Sequence, residues 1–171
     1  MRILYKNHFT TVVEEEAHSS TGKKYSYVVV TGEPVAAVLP VFEDGTMLLE
    51  LQYRRAIRRH IYEIPAGHAD KGEAVEMTAK RELEEETGYT ASEFAFLFKA
   101  YESPAGKRQT VSVYLATGLK KGKKHLDDTE SIQIKRVSLD AALNMIRKNM
   151  IIDMKTIATI LFYKEFIKAK K

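Results

Sequence analysis

Four carboxylates crowd the five residues Glu82-Leu83-Glu84-Glu85-Glu86, and Gly88 follows almost at once. On a helix, Glu86 lies four residues and Glu85 three residues after Glu82, so these side chains project from neighbouring positions on one face. Like charges at those spacings oppose helix formation, and a cation would relieve them. Hard divalent ions such as Mg2+ or Mn2+ take several carboxylate oxygens and complete their shell with water and phosphate. Glu82, Glu85 and Glu86 therefore read as a metal platform, with Glu84 turned toward solvent. Arg81 adjoins them and is placed to hold a carboxylate through a forked pair of hydrogen bonds. Judged by composition alone, an acidic run of this kind is more often a solvated helix face. Its surroundings have to decide.

The elements that must carry these residues follow from the hydrophobic rhythm. Alternation over 24–32 and apolar runs over 34–42 and 46–54 predict strands, with Glu43-Asp44-Gly45 as the turn of a hairpin between the last two. Pro65-Ala66-Gly67 breaks the pattern, and from Glu73 the period turns helical, with Val75, Ala79 and Leu83 on one face and Gly88 as a left-handed cap. Strands are expected again over 94–101, 110–117 and 131–138, and amphipathic helices over 139–149 and 153–167. Strands on both sides of one early helix, with helices last, predict an α/β fold in which a mixed sheet lies between helical layers.

Composition sets outer limits. A chain of 171 residues, 44% hydrophobic and 29% charged, suits one globular domain with a real core. Without cysteine there is no disulfide, thiolate metal site or cysteine nucleophile, so any metal must sit on oxygen or imidazole. The N-terminus lacks the apolar run of a signal peptide and no stretch is long enough to span a membrane, so a cytoplasmic protein with no membrane partner is expected. Basic residues gather at 53–60, 120–125 and the C-terminal tail. Aromatic residues are not interleaved with them, which argues for solvated faces and against a nucleic-acid partner.

Taken with its flanks, the acidic helix resembles the signature of the Nudix hydrolases. Gly67 is followed by five residues and Glu73, then by seven residues and Arg81-Glu82-Leu83, and then by Glu85-Glu86 and Gly88 in register. Tyr89 departs only in standing where an aliphatic residue is usual. The resemblance implies an α/β/α sandwich with a mixed sheet over 35–171, preceded by an antiparallel β extension at 1–34 that pairs two copies into a homodimer. It further implies that Glu82, Glu85 and Glu86, joined by the Ala66 carbonyl, hold Mg2+ or Mn2+. Glu73 and Arg81 would brace the loop and helix, and Arg81 and Glu85 would serve catalysis. The chemistry implied is hydrolysis of a nucleoside diphosphate linked to a further group.

Residues outside that signature narrow the further group. Pro104 stands fifteen positions after Tyr89, which is similar to the marker of the ADP-ribose pyrophosphatase branch; stretches 51–67 and 126–162 resemble the same branch. On that resemblance Arg54 meets the diphosphate, and Phe9, Tyr25 or Tyr27 grips the base. The general base is a carboxylate of the loop His125 to Ser131, with Glu130 best placed and Asp128 second, ahead of Asp127. His68, in the box loop, reads as an exposed histidine. Tyr25 and Tyr27 alternate on one strand face and read first as packing residues. Lys107 and Arg108, after an additional Ala105, depart from the branch and predict a cationic turn favouring a more anionic or differently placed group. ADP-ribose or a related nucleoside diphosphate sugar is thus the expected substrate. The alternatives are a nucleoside triphosphate or RNA 5′-end pyrophosphohydrolase and a non-catalytic nucleotide-sugar sensor. The intact carboxylates disfavour the sensor.

Overall fold

A computed structural model of the chain describes residues 1–8, 10–125 and 131–168. Phe9, Asp127, Asp128 and Glu130 lie outside the described residues. Three strands open the chain, β1 (Arg2–Lys6), β2 (Thr11–His18) and β3 (Lys24–Thr31), and pair antiparallel in that order. Next come β4 (Val35–Pro40), β5 (Met47–Arg54), β6 (Arg59–Glu63) and β7 (Ala66–His68), followed by the helix α1 (Val75–Thr87). Strands β8 (Tyr89–Tyr101), β9 (Thr110–Lys121) and β10 (Ile132–Val137) lead to helices α2 (Leu139–Arg147) and α3 (Met154–Phe162), and α3 runs into a π-helical turn, Tyr163–Ile167.

The centre is β4, every residue of which is buried. It runs parallel to β9 and antiparallel to β7, in a mixed sheet of order β7-β4-β9-β8. A strand covered on both faces needs apolar residues at consecutive positions, as in Val35-Ala36-Ala37-Val38-Leu39. Alternate residues of this run enter two cores. Val35, Ala37 and Leu39 join Met47, Leu49 and Ile64, the helical residues Met145 and Ile160, and Ile151 from the connection between α2 and α3. Ala36 and Val38 lie with Tyr114 and Ala116 under Ala79 and Leu83 of α1. The small side chains of Ala36 and Ala79 allow close approach, and the fully buried Leu83 contributes about 1.5–3 kcal/mol by leaving water. The acidic helix is thereby fixed on the sheet by its apolar stripe, and its carboxylate face is turned toward β7.

The expected mixed sheet and helical layers are present, but the hairpin over 34–54 is not. Only Val41 and Met47 bridge at the turn, after which β4 and β5 part into different sheets. Strand β5 instead pairs antiparallel with β6 and β10. Both β4 and β5 are predominantly apolar, so periodicity alone could not tell which neighbour each one takes. The basic stretch 53–60 proves to hold the turn of the β5–β6 hairpin, with Arg58 at a positive φ of 52°.

Helix ends follow their local chemistry. Ser138 accepts the Ala141 N–H (3.2 Å) and Asp153 accepts the Thr156 N–H (2.9 Å), while Gly88, at φ 73°, closes α1 by donating to the Glu84 carbonyl (2.8 Å). Among the described residues, no helix is long and apolar enough to cross a membrane.

Candidate active site

The loop before α1 is stapled to the helix by one carboxylate. Ala74, at the N-cap, offers no side-chain acceptor. Glu73 ties loop to helix through side chains instead: its Oε2 accepts the Asp70 N–H (2.9 Å), the Thr78 hydroxyl (2.9 Å) and Arg81 Nη2 (3.1 Å), and its Oε1 accepts Arg81 Nε (3.2 Å). The forked bond from Arg81, then the Asp70 and Thr78 bonds, lower the Glu73 pKa to about 2 against the opposing effect of burial. Glu73 is thus more than a charge at a helix N-terminus, as its place in the signature implied.

Arg81 does more than the predicted fork. Its Nη1 donates to Glu82 Oε1 (2.7 Å) and to Glu85 Oε2 (3.0 Å), and Nη2 also reaches the His68 carbonyl (3.0 Å). Hydrogen bonding to Glu73, followed by the Glu82 charge, raises its pKa despite desolvation. Part of the repulsion in the acidic run is therefore offset within the protein. Glu86, deeply buried, accepts the Ala66 N–H through Oε2 (2.9 Å), which ties the helix to β7. Glu84 is half-buried rather than fully turned to water; a Cβ on Gly122 would lie 3.0 Å from its Oε1.

Gly67 is not the turn residue its type suggests. It lies within β7, opposite Ala36, and is absent from the positions with positive φ. What requires a glycine is Glu82: a Cβ on Gly67 would stand 2.0 Å from Oε1 and 2.2 Å from Cδ. The Glu82 carboxylate lies directly on the backbone of β7.

These observations bear on a metal. Glu82 and Glu85 each place an oxygen within 3.0 Å of a single nitrogen, so the two can share one cation. All three glutamates offer the hard oxygen donors that Mg2+ and Mn2+ select. Among the described residues no three acidic or imidazole groups are already drawn together as a ligand set. The donor set fits a hard cation, which would take over from Arg81 the gathering of Glu82 and Glu85.

Around the box lies a second group. Arg54 makes a forked pair with Glu63, Nε to Oε1 at 2.6 Å and Nη2 to Oε2 at 2.8 Å. That bonding, together with the Glu86 charge, raises the Arg54 pKa against desolvation, so Arg54 is within electrostatic reach of a predicted metal ligand. Partial desolvation and then the Lys107 charge lower the pKa of His68, with Arg54 acting in the same sense and Glu102 opposing. The Pro104 turn, closed by bonds from the Gly106 and Lys107 N–H groups to the Ser103 carbonyl, leads into β9, which flanks β4 on the side away from β7 and His68. Its cations are already matched. Lys107 pairs with Glu102 (2.5 Å), and Arg108 makes two bonds to Glu15 (3.1 and 2.8 Å). The cationic turn expected to favour a more anionic group is neutralised by these carboxylates, because Glu15 reaches it from β2.

The remaining predicted residues fall elsewhere. Tyr25 and Tyr27 are 50% and 37% exposed and pair with each other, ring centroids 6.2 Å apart, at the surface of the described residues. Tyr27 donates to Glu15 Oε2 (2.9 Å), which joins it to Arg108. Sequence reasoning passed over Glu63 and Lys155; an acidic residue just before Pro65-Ala66-Gly67 was the available signal for the first, and nothing local marked the second. A cavity of about 420 Å³ lined by Phe42, Asp44, Tyr163 and Lys168, among others, contains none of the predicted residues. The site is defined by its donors rather than by that concavity.

A family profile described as the NUDIX domain matches residues 32–158. The chain belongs to the Nudix family. Similar proteins include the ADP-ribose pyrophosphatase of Bacillus subtilis, 37% identical over 92% of this chain and 87% of its own length. The methanol dehydrogenase activator of Bacillus methanolicus is 32% identical over 85% of this chain and 80% of its own. Among solved structures, one titled as the crystal structure of ADP compounds hydrolase superposes with a TM-score of 0.84, covering 99% of this chain and 92% of that one at 22% identity, which establishes the shared fold.

Proposed function

We propose that this Nudix enzyme hydrolyses the pyrophosphate bond of nucleoside diphosphate sugars, ADP-ribose before others, giving AMP and ribose 5-phosphate. The bonds of one Arg81 nitrogen to both Glu82 and Glu85, and the tie of Glu86 to Ala66 on β7, the strand against which Glu82 lies, carry this reading. The identity to an ADP-ribose pyrophosphatase supports the choice of substrate. Mg2+, or Mn2+ in its place, would be held by Glu82, Glu85, Glu86 and the Ala66 carbonyl, supplying positive charge to the pyrophosphate oxygens and acidifying the attacking water.

The protein's own groups divide the remaining tasks. Arg54 pairs with diphosphate oxygens, and the Pro104 turn borders the sugar. Arg81 and Glu73 keep the carboxylate helix in register with its loop. Glu130, or failing it Asp128, takes the proton as water attacks phosphorus and the bridging P–O bond breaks. The amide of His125, five residues before Glu130, donates to the Glu85 carbonyl (3.0 Å), and this supports a base arriving from that segment. Residues 1–34 act as a dimerisation extension to the hydrolase domain at 35–171, and Tyr27 and Phe9 have the role of gripping the base. The exposed Ile3, Tyr5 and Val28 on the three-stranded sheet support a homodimer.

Phosphate release, coupled to a phosphatase, tests the reading across ADP-ribose, ADP-glucose, GDP-mannose, UDP-glucose, dGTP and 5′-triphosphate RNA, with Mg2+ and with a chelator. Turnover should be confined to the diphosphate sugars, require metal, and fall by roughly a thousandfold in Glu86→Gln, as expected on losing a carboxylate that positions the charge. Preference for dGTP or RNA, or tight binding without turnover, would refute it.

A further inference from the structure

A lysine in the first turn of a helix opposes the macrodipole, and a buried one carries a desolvation cost as well. Lys155 is both: it is the second residue of α3, and only 12% of its side chain is exposed. Its Nζ donates to Glu63 Oε2 and lies 3.0 Å from Asp153 Oδ2. Glu63, 3% exposed at the end of β6, also carries both bonds of the Arg54 fork. One carboxylate thus fastens two cations from elements far apart in sequence.

That arrangement aims Arg54. A guanidinium has five N–H donors in a rigid plane, and a fork through Nε and Nη2 leaves Nη1 for a further anion. The Arg54 side chain is 40% exposed, so the donors left over stay open to an anion, and Arg54 and Glu86 act on one another electrostatically. Burial raises the Glu63 pKa, but Arg54 and Lys155 outweigh it and leave the group below its ordinary value. The same turn of α3 holds the next residue: the Ile64 N–H donates to Thr156 Oγ1 (2.9 Å), two positions before the Ala66 N–H that meets Glu86.

We infer that Lys155 is a positioning residue for pyrophosphate cleavage, which by fixing the Glu63 carboxylate aims the Arg54 guanidinium at the substrate diphosphate. This rests on the reading that Arg54 meets the diphosphate. A purely structural lysine would affect unfolding alone; a positioning one acts on substrate through Arg54.

The test is a kinetic cycle on ADP-ribose with the full chain, using Lys155→Met, Arg54→Gln, the double variant and Lys155→Arg. Arg54→Gln and Lys155→Met should each raise KM about tenfold with kcat little changed, the equivalent of one charge-assisted hydrogen bond. In the Arg54→Gln background, Lys155→Met should add nothing further, and Lys155→Arg should keep most of the wild-type KM. An equal increment in both backgrounds, or an unchanged KM in Lys155→Met, overturns the role of Lys155 while leaving Arg54 in place. An unchanged KM in Arg54→Gln overturns the Arg54 reading itself. Should Lys155→Met fail to fold around an uncompensated Glu63, Glu63→Gln/Lys155→Met is compared with Glu63→Gln alone: equal KM values, both raised above wild type, support action of Lys155 through Glu63, and a further rise in the double variant or a wild-type KM overturns it.

Discussion

Replacing Gly67 by alanine separates the needs of the fold from those of the site. The new Cβ would meet Glu82 at 2.0 Å from Oε1, 2.2 Å from Cδ and 2.6 Å from Oε2. Non-bonded atoms settle near about 3.5 Å, so the carboxylate must move by roughly 1 Å or more. No backbone strain is added, since Gly67 has no positive φ. Glu82 is the far end of a flexible side chain and can turn aside, breaking its 2.7 Å bond to Arg81. The stability loss should therefore be about 1 kcal/mol, at the lower end of overpacking penalties. Metal binding should suffer more, because a misplaced ligand costs about 10–100-fold in affinity. Calorimetric titration with Mn2+ and the Mg2+ dependence of ADP-ribose turnover measure the second quantity, and urea unfolding the first. Excess metal should restore part of the activity. A wild-type metal midpoint in Gly67→Ala would refute the placement of Glu82 as a ligand, and a stability loss above about 3 kcal/mol would show that the fold needs the glycine.

Two further outcomes concern stability. The Glu73 pKa lies at about 2 in the folded protein, below its ordinary 4.5, so its contribution is present above the unfolded pKa and is lost as pH falls through the folded one. The stability difference between wild type and Glu73→Gln should accordingly be level above about pH 5.5 and shrink between pH 4.5 and 2; a difference unchanged over that acid range would contradict the staple. Thr156→Val keeps the shape but removes the acceptor of the buried Ile64 N–H (2.9 Å). Denaturant unfolding should show a loss of about 1–3 kcal/mol, the cost of an orphaned buried donor, and a change below about 0.5 kcal/mol would rule out that bond as an anchor.

Much of the site was legible in the sequence because helical periodicity is local. Spacings of three and four brought Glu82, Glu85 and Glu86 to one face, Ala79 and Leu83 fixed the adjoining stripe on the sheet, and Gly88 ended the helix at φ 73°. The identities of the side chains likewise limited the donors to oxygen and imidazole, whatever the fold. Tertiary structure decided the partners. Whether β4 would pair with β5 or with β9 depended on packing between two buried strands, which their shared apolar character cannot rank. Only the approach of Glu82 to β7 gives Gly67 its reason, and only the approach of β2 to the Pro104 turn converts Arg108 from a free cation into the partner of Glu15. Lys155 and Glu63 are 92 residues apart in the chain. Nothing in the neighbourhood of either announces the other, because electrostatic pairing follows distance in space, and that distance exists only once the two sheets and α3 have closed on a common core.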